Sequence, residues 1–335
     1  MTFRTDQLIT NNPPEIIFLE NTNICNLKCV MCPLKDMERK NFNMDFKHFK
    51  DIADQIKIFG SKTRLNFYFF GESFVHKNAL GMIGYCKNIG IEIHFSTNLL
   101  ALTEDQICTW ISMLDEKDKI VLSLDAFSKE DYEKIRIGGS YEKLCQNFHW
   151  ILREHTRKKN KPELIIQAIY NWIPEKFGTI GLIEKNENPQ KVNNFLEVFL
   201  QKVWTEIGKK FTKKDIDEFI KIYYEEYEKG HSRREISEKI LVYIKDVDDW
   251  AAQIGDRKTK EQLGQHQLVC DFPWRNLIVQ ANGDVTVCCK DVEGKINVGN
   301  THRNTLQEIW NGEEIQNLRK EFIGFKRQNL LCKHC

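Results

Sequence analysis

The sequence predicts an α/β protein whose strands form a parallel barrel or open barrel, followed by a small C-terminal domain of different character. Three observations predict it. Short, continuously apolar runs recur between amphipathic segments, as strands covered on both faces of a parallel sheet should read. The strand-then-helix alternation repeats six times, which implies right-handed crossovers. After about residue 250 the chain changes to Gly, Cys and short strand–turn units.

Strands are expected at 15–20, 64–70, 91–96, 120–125, 163–170 and 240–246, each rich in Ile, Leu, Val or Phe. The first reads Glu15-Ile16-Ile17-Phe18-Leu19-Glu20, and the fourth opens with Ile120-Val121-Leu122. Helices are expected at 46–59, 79–88, 103–114, 141–155 and 191–207. Thr103 followed by Gln106 forms a capping box at the third of these. Between the fifth and sixth strands lies a long charged helical region. It continues through 214–229, where Ile216, Phe219, Ile220, Tyr223 and Tyr227 make an apolar stripe at helical spacing. The stripe reads as packing, with a substrate lid or dimer interface as the alternative. Asn282-Gly283-Asp284 ahead of 285–287 signals a hairpin in the small domain. In parallel sheets of this kind the chemistry belongs at the C-terminal strand ends.

Lys plus Arg total 49 against 48 Asp plus Glu, a formal net charge of +1. No field of one sign draws the chain to nucleic acid or anionic membrane, so neither partner is expected. The leader 1–15 is polar, contains Asn11-Asn12-Pro13-Pro14 and lacks a signal-peptide core. No apolar stretch approaches the roughly 18 residues of a membrane span. A cytoplasmic protein is therefore expected, where thiols stay reduced. Its eleven cysteines are odd in number and concentrate at the two ends of the chain. Metal or cluster ligation explains them better than disulfides.

Just past the first strand stands Cys25-Asn26-Leu27-Lys28-Cys29-Val30-Met31-Cys32-Pro33. Three thiolates so close can hold three irons of a [4Fe–4S] cube and leave the fourth iron open for chemistry. A zinc site completed by a distant residue, or plain buried cysteines, are the alternatives. Near the C-terminus, Cys270, Cys288, Cys332 and Cys335 would fully ligate a second cube, or equally a structural zinc. Cys289 duplicates Cys288, so either can be the ligand. Cys86, Cys108 and Cys145 fall in predicted helices and read as ordinary thiols.

The spacing Cys25-x3-Cys29-x2-Cys32, with Met31 before the last thiol, resembles the signature of radical S-adenosylmethionine (radical SAM) enzymes. The resemblance implies a partial (β/α)6 TIM-like barrel over 16–250, with a helical insertion at about 209–239. It implies S-adenosylmethionine (SAM) bound to the open iron and cleaved reductively to a 5′-deoxyadenosyl radical that abstracts hydrogen from substrate. Met31, Glu72 in Phe70-Gly71-Glu72-Ser73, Ser96 and Asn98, Ser123 and Asp125, and Arg136 are the cofactor-contacting residues it implies. Phe70 departs from the family's Gly-Gly-Glu segment. The resemblance also implies an external reductant, such as flavodoxin or ferredoxin, to supply the electron.

Cys270-x2-Pro273-Trp274, Gly283-x-Val285-x2-Cys288-Cys289-x-Asp291, Val298-Gly299-Asn300, Leu306-x2-Ile309-Trp310 and Cys332-x2-Cys335 resemble the auxiliary iron–sulfur domain called SPASM. With so few cysteines they resemble its shortened form, twitch. This implies a second [4Fe–4S] cluster in a small α+β domain over 251–335, although relatives continue past the position of Cys335. The expected reaction is dehydrogenation or epimerisation of a small polar substrate such as a sugar, aminocyclitol or nucleoside. About fifteen residues precede the first strand, too few for a fused peptide-recognition module. Cys289 is the candidate catalytic thiol that returns a hydrogen atom in an epimerase. The alternatives are a peptide-modifying maturase and a non-catalytic zinc or iron–sulfur binding module.

Overall fold

The computed structural model describes residues 7–125, 129–169, 233–245, 270–324 and 330–333, together with 197, 201, 205, 212–215, 217 and 221. The chain forms two compact units. One comprises Met1–Asn26, Cys32–Phe95 and Asp249–Cys335; the other comprises Leu27–Met31 and Ser96–Asp248.

In the first unit, β1 (Ile16–Leu19) is paired in parallel on both edges, with β3 (Arg64–Asn66) and with β10 (Asn276–Val279). β4 (Ile93–Thr97), whose last two residues open the second unit, is parallel to β3. Alternation decides the two faces: Ile17, Leu19, Leu65, Ile93 and Phe95 are almost completely buried, while Phe18 and His94 are partly open. Two helices cover the apolar face: α1 (Phe46–Phe59), capped by the Asp45 carboxylate on the amides of Lys47 and His48, and α2 (Ala79–Asn88). Phe49 of α1 meets Phe67 edge-on at 5.7 Å, and Phe67 meets Phe95 at 6.0 Å. Burying rings like these stabilises by about 1.5–3 kcal/mol each.

The C-terminal segment enters through a short 3-10 turn at Phe272–Trp274 and continues as β10. From there it reverses at Gly283 (φ +86°) into β11 (Asp284–Thr286), antiparallel, and then β12 (Gly299–Asn300). The Asn282–Asp284 turn is thus the expected hairpin, but its first strand also extends the parallel sheet of β1. Three helices follow: α6 (Leu306–Trp310), α7 (Glu313–Ile323) and α8 (Leu330–Lys333). Arg319 of α7 is fully buried and donates to the backbone carbonyls of Pro273, Leu8 and Trp310.

In the second unit, β5 (Lys119–Ser123), β7 (Glu163–Ile169) and β9 (Ile240–Lys245) are parallel in that order, and β8 (Arg233–Ser237) closes the edge antiparallel to β9. Two-residue β2 (Lys28–Cys29) pairs antiparallel with β6 (Arg136–Ile137). The helices are α3 (Glu104–Met113), α4 (Lys129–Ile135) and α5 (Tyr141–Arg157). Thr103 and Gln106 form the expected capping box.

The six expected strands are present as β1, β3, β4, β5, β7 and β9, and the fold is a mixed α/β partial barrel of parallel strands, not a closed one. Two expectations need correcting. The stretch 233–237, expected within a helical insertion at 209–239, is a strand. A tight turn at Glu238–Lys239 (Lys239 φ +61°) folds it onto β9, and the ladder overrides helical propensity. The second strand was expected over 64–70 but ends at Asn66, where the chain bends toward Gly71. Lys213, Lys214, Asp215, Asp217 and Lys221 are helical as expected, while the stripe Ile216, Phe219, Ile220, Tyr223 and Tyr227 lies outside the described residues. Among the described residues no helix is long and apolar enough to cross a membrane.

Candidate functional site

The loop after β1 is fixed by its own polar side chains before the cysteines begin. Asn21 donates to the Ser73 carbonyl, Thr22 to that of Phe42, and Asn23 to that of Lys40 while accepting from the Phe42 amide. Gly71 (φ +84°) presses against it: a Cβ there would stand 2.4 Å from the Thr22 oxygen. The Glu72 amide donates to Ile24, immediately before Cys25, at 3.0 Å. The Glu72 side chain is buried and accepts from the Phe74 amide, capping a short turn at Ser73–Val75. Cys25 and Cys32 are half-buried, the latter at the start of a 3-10 turn at Pro33–Asp36, and Met31 is also half-buried.

In the second unit Cys29 is buried on β2, directly opposite Arg136 on β6. Arg136 Nη1 lies 3.6 Å from Cys29 Sγ. Its Nε donates to Asp125 Oδ2 at 2.6 Å, and Nη2 donates to the same oxygen. Asp125 is fully buried, in the left-handed region (φ +61°), and its Oδ1 is buried without a hydrogen-bond partner among the described residues. Burial pushes the Cys29 thiol up, against the pull of the Arg136 guanidinium. Asp125 holds Arg136 firmly charged despite its burial. Ser123 ends β5 opposite Gln167 and is buried. Ser96 is half-buried at the end of β4, and the Asn98 carboxamide is buried and accepts from the Leu100 amide.

The C-terminal thiols converge on one apolar pocket. Cys270, Cys288 and Cys332 line it with Phe272, Pro273, Val287, Ile296, Leu318, Phe322 and Leu331. Burial is the main cause of a raised Cys288 pKa, and the neighbouring Cys289 and Cys332 add to it. The Lys290 amide donates to Cys288 Sγ at 3.4 Å. Cys289 is half-buried and is not part of the lining; Cys335 lies outside the described residues. Among the described residues no three His, Cys, Asp or Glu side chains come close enough to share one metal ion. Cys270, Cys288 and Cys332 are a thiol donor set of the kind an iron–sulfur cluster takes. Cys86, Cys108 and Cys145 lie on α2, α3 and α5; burial pushes Cys86 up to about 12.

Two features escaped the sequence reading. Asp125 and Arg136 engage one another, and the approach of Arg136 to Cys29 depends on a ladder too short to leave a period. Arg39, which binds buried Glu20 with both Nη atoms at 3.0 Å, carried no motif.

The fold is a largely parallel α/β one, with three cysteines close in sequence past its first strand and a pocket lined by thiols near its C-terminus. Residues 19–167 match the family model of the Radical SAM superfamily, and 270–335 match that of SPASM, an iron–sulfur cluster-binding domain. The chain belongs to the radical SAM superfamily and carries a C-terminal SPASM domain. The first domain implies a [4Fe–4S] cluster with SAM, and the second implies auxiliary iron–sulfur clusters.

One relative is a Pyrococcus furiosus tungsten-containing aldehyde ferredoxin oxidoreductase cofactor-modifying protein, 32% identical over 91 residues. That match spans 27% of this chain and 26% of the relative. Among solved structures, BtrN in complex with AdoMet and 2-DOIA matches with a TM-score of 0.56 at 15% identity, covering 97% of this chain and 93% of BtrN. Streptococcus suis SuiB bound to precursor peptide SuiA matches with a TM-score of 0.58 at 14% identity, covering 92% and 67%. The AdoMet-bound anSMEcpe matches at 0.51 and 15%, covering 92% and 84%. These likenesses show the fold.

Proposed function

We propose that this enzyme abstracts hydrogen from a small polar molecule of the sugar, aminocyclitol or nucleoside kind, and that dehydrogenation or epimerisation follows. The observation that carries the substrate class is the buried carboxamide of Asn66, on the face of the first unit's sheet opposite the helices. Phe18, Asn66 and His94 stand in register on β1, β3 and β4. The Asn66 amide donates to the Tyr68 hydroxyl at 3.1 Å, and Tyr68 meets Phe18 edge-on at 5.6 Å. Asn66 Oδ1 is buried and accepts nothing among the described residues. Leaving such an acceptor unmet costs about 1–3 kcal/mol. A hydroxyl or amino group of a compact ligand would satisfy it, with aromatic rings beside it. The full-length likeness to BtrN, which binds AdoMet and 2-DOIA, agrees with this reading.

Cys25, Cys29 and Cys32 would hold the first cluster, which with SAM supplies a carbon-centred radical able to take hydrogen from an unactivated C–H bond. Met31, Glu72, Ser96, Asn98, Ser123, Asp125 and Arg136 are proposed to orient or support the cofactor. Glu72 offers a buried carboxylate to an ammonium, and Arg136 has N–H groups left for a carboxylate after its bonds to Asp125. Cys270, Cys288, Cys332 and Cys335 would hold the auxiliary cluster, the acceptor for the electron of an oxidised substrate. Cys289 is proposed as the thiol that returns a hydrogen atom if the product is an epimer.

The likeness to SuiB bound to its precursor peptide favours a second reading, a peptide substrate. Anaerobic protein with SAM and dithionite separates the two. Carbon-deuterated polyols and aminocyclitols should raise 5′-deoxyadenosine above the uncoupled level and pass deuterium into it. Stimulation by peptides alone would overturn the small-molecule reading.

A further inference from the structure

We propose that Arg136 tunes the reduction potential of the N-terminal cluster by donating an N–H to the sulfur of its ligand Cys29, with Asp125 as the positioning residue. The inference rests on the assignment of Cys29 to that cluster. The contact is held by backbone. Cys29 and Arg136 are register partners in the β2–β6 ladder, and the Val30 amide donates to Ile135 at 3.0 Å. Gly139 closes in behind: a Cβ there would lie 2.8 Å from the Arg136 carbonyl oxygen and 2.8 Å from the Tyr132 ring. The guanidinium is therefore packed in place, 10% exposed, with Nη1 at 3.6 Å from the sulfur.

Both bonds to Asp125 reach one oxygen, so the carboxylate aims the guanidinium plane without covering Nη1. A coordinated thiolate carries negative charge that grows when the cluster gains an electron. A buried cationic donor at that sulfur favours the reduced state and raises the potential. Neighbours of this kind are the usual means by which a protein adjusts a metal centre. Five N–H groups on Arg136, three of them directed at Asp125 and Cys29, leave two for the cofactor, so the two duties are compatible.

The test is a redox titration of reconstituted holoenzyme, wild type against Arg136→Gln and the charge-neutral pair Asp125→Asn/Arg136→Gln. Electron paramagnetic resonance follows the cluster signal that changes when SAM is added, which separates it from the auxiliary cluster. Both variants should keep their iron and sulfide and shift the midpoint negative. At the wild-type midpoint the reduced-to-oxidised ratio should fall about tenfold, about 59 mV for a one-electron couple. If Arg136→Gln does not fold because Asp125 is stranded, the pair variant gives the same reading. An unshifted midpoint beside weakened SAM binding would confine Arg136 to the cofactor and overturn the proposal. A wild-type protein without a SAM-responsive cluster would remove the assignment of Cys29 itself.

Discussion

Replacing Gly71 with alanine should cost the enzyme its first cluster, and the size of the effect follows from two separable terms. Gly71 sits at φ +84°, and a side chain in the left-handed region costs about 1–2 kcal/mol. The added Cβ would also meet the Thr22 oxygen at 2.4 Å and the Asn23 carbonyl carbon and Cα at 2.9 Å. All three atoms are backbone and cannot swing aside, and overpacking of this sort costs about 1–3 kcal/mol more. The total, about 2–5 kcal/mol, falls on the two residues that lead through Ile24 into Cys25. Gly90→Ala is the matched control. It shares a positive φ (+77°), but its only near neighbour among the described residues is the tip of the Lys57 side chain at 3.2 Å, which can move. The assay is iron and sulfide per chain after anaerobic reconstitution, with urea unfolding alongside. Two cubes hold about eight irons. Gly90→Ala should keep them, and Gly71→Ala should drop toward about four. Equal iron in the two variants would refute the reasoning, because only the clash distinguishes them.

Cys288→Ala should lose about four irons while Cys289→Ala keeps all of about eight; elemental analysis decides, and equal loss from both would unseat Cys288 as the ligand. With its clusters intact, Cys289→Ala should abolish turnover of an epimerised substrate, and unchanged product formation would remove that thiol from the chemistry. Arg39→Ala should destabilise by about 3–5 kcal/mol in denaturant titrations, since it strands the fully buried Glu20 carboxylate. His155 is completely buried, holds the Pro162 carbonyl at 2.8 Å through Nε2, and has no partner at Nδ1 among the described residues. Burial lowers its pKa from the ordinary 6.5, so the unfolded chain takes up a proton that the folded one refuses. Stability should therefore fall as pH drops below about 6.5, and His155→Gln should flatten that slope.

The elements with strong local signatures were the legible ones. Continuous apolar runs located β1, β4, β5, β7 and β9. The Thr103–Gln106 pair located the start of α3, and Asn282-Gly283-Asp284 located a hairpin. What stayed hidden depends on partners distant in sequence. Nothing in Asn276–Val279 says that it will pair with β1, because a strand's neighbour is chosen by packing and not by its own residues. The β2–β6 ladder is two residues long and has no period to detect, yet it brings Arg136 to Cys29. At 233–237 the charged composition read as helix, and the turn at Lys239 decided otherwise. For the site, spacing marked out the cysteines, but the pairing of Asp125 with Arg136, eleven positions apart, required the fold.

The pairing of β1 with β10 also bears on how the chain is made. Ile16 lies beside Asn276, so one edge of the first strand waits for a segment some 260 positions downstream. At roughly 5–20 residues per second, a ribosome takes on the order of 13 to 50 seconds to deliver that partner. Through that interval the nascent chain presents Ile16–Leu19 with an unfilled edge, a template for mispairing. Expression should therefore be sensitive to chaperone supply and to growth temperature, and truncations that stop short of Val279 should aggregate.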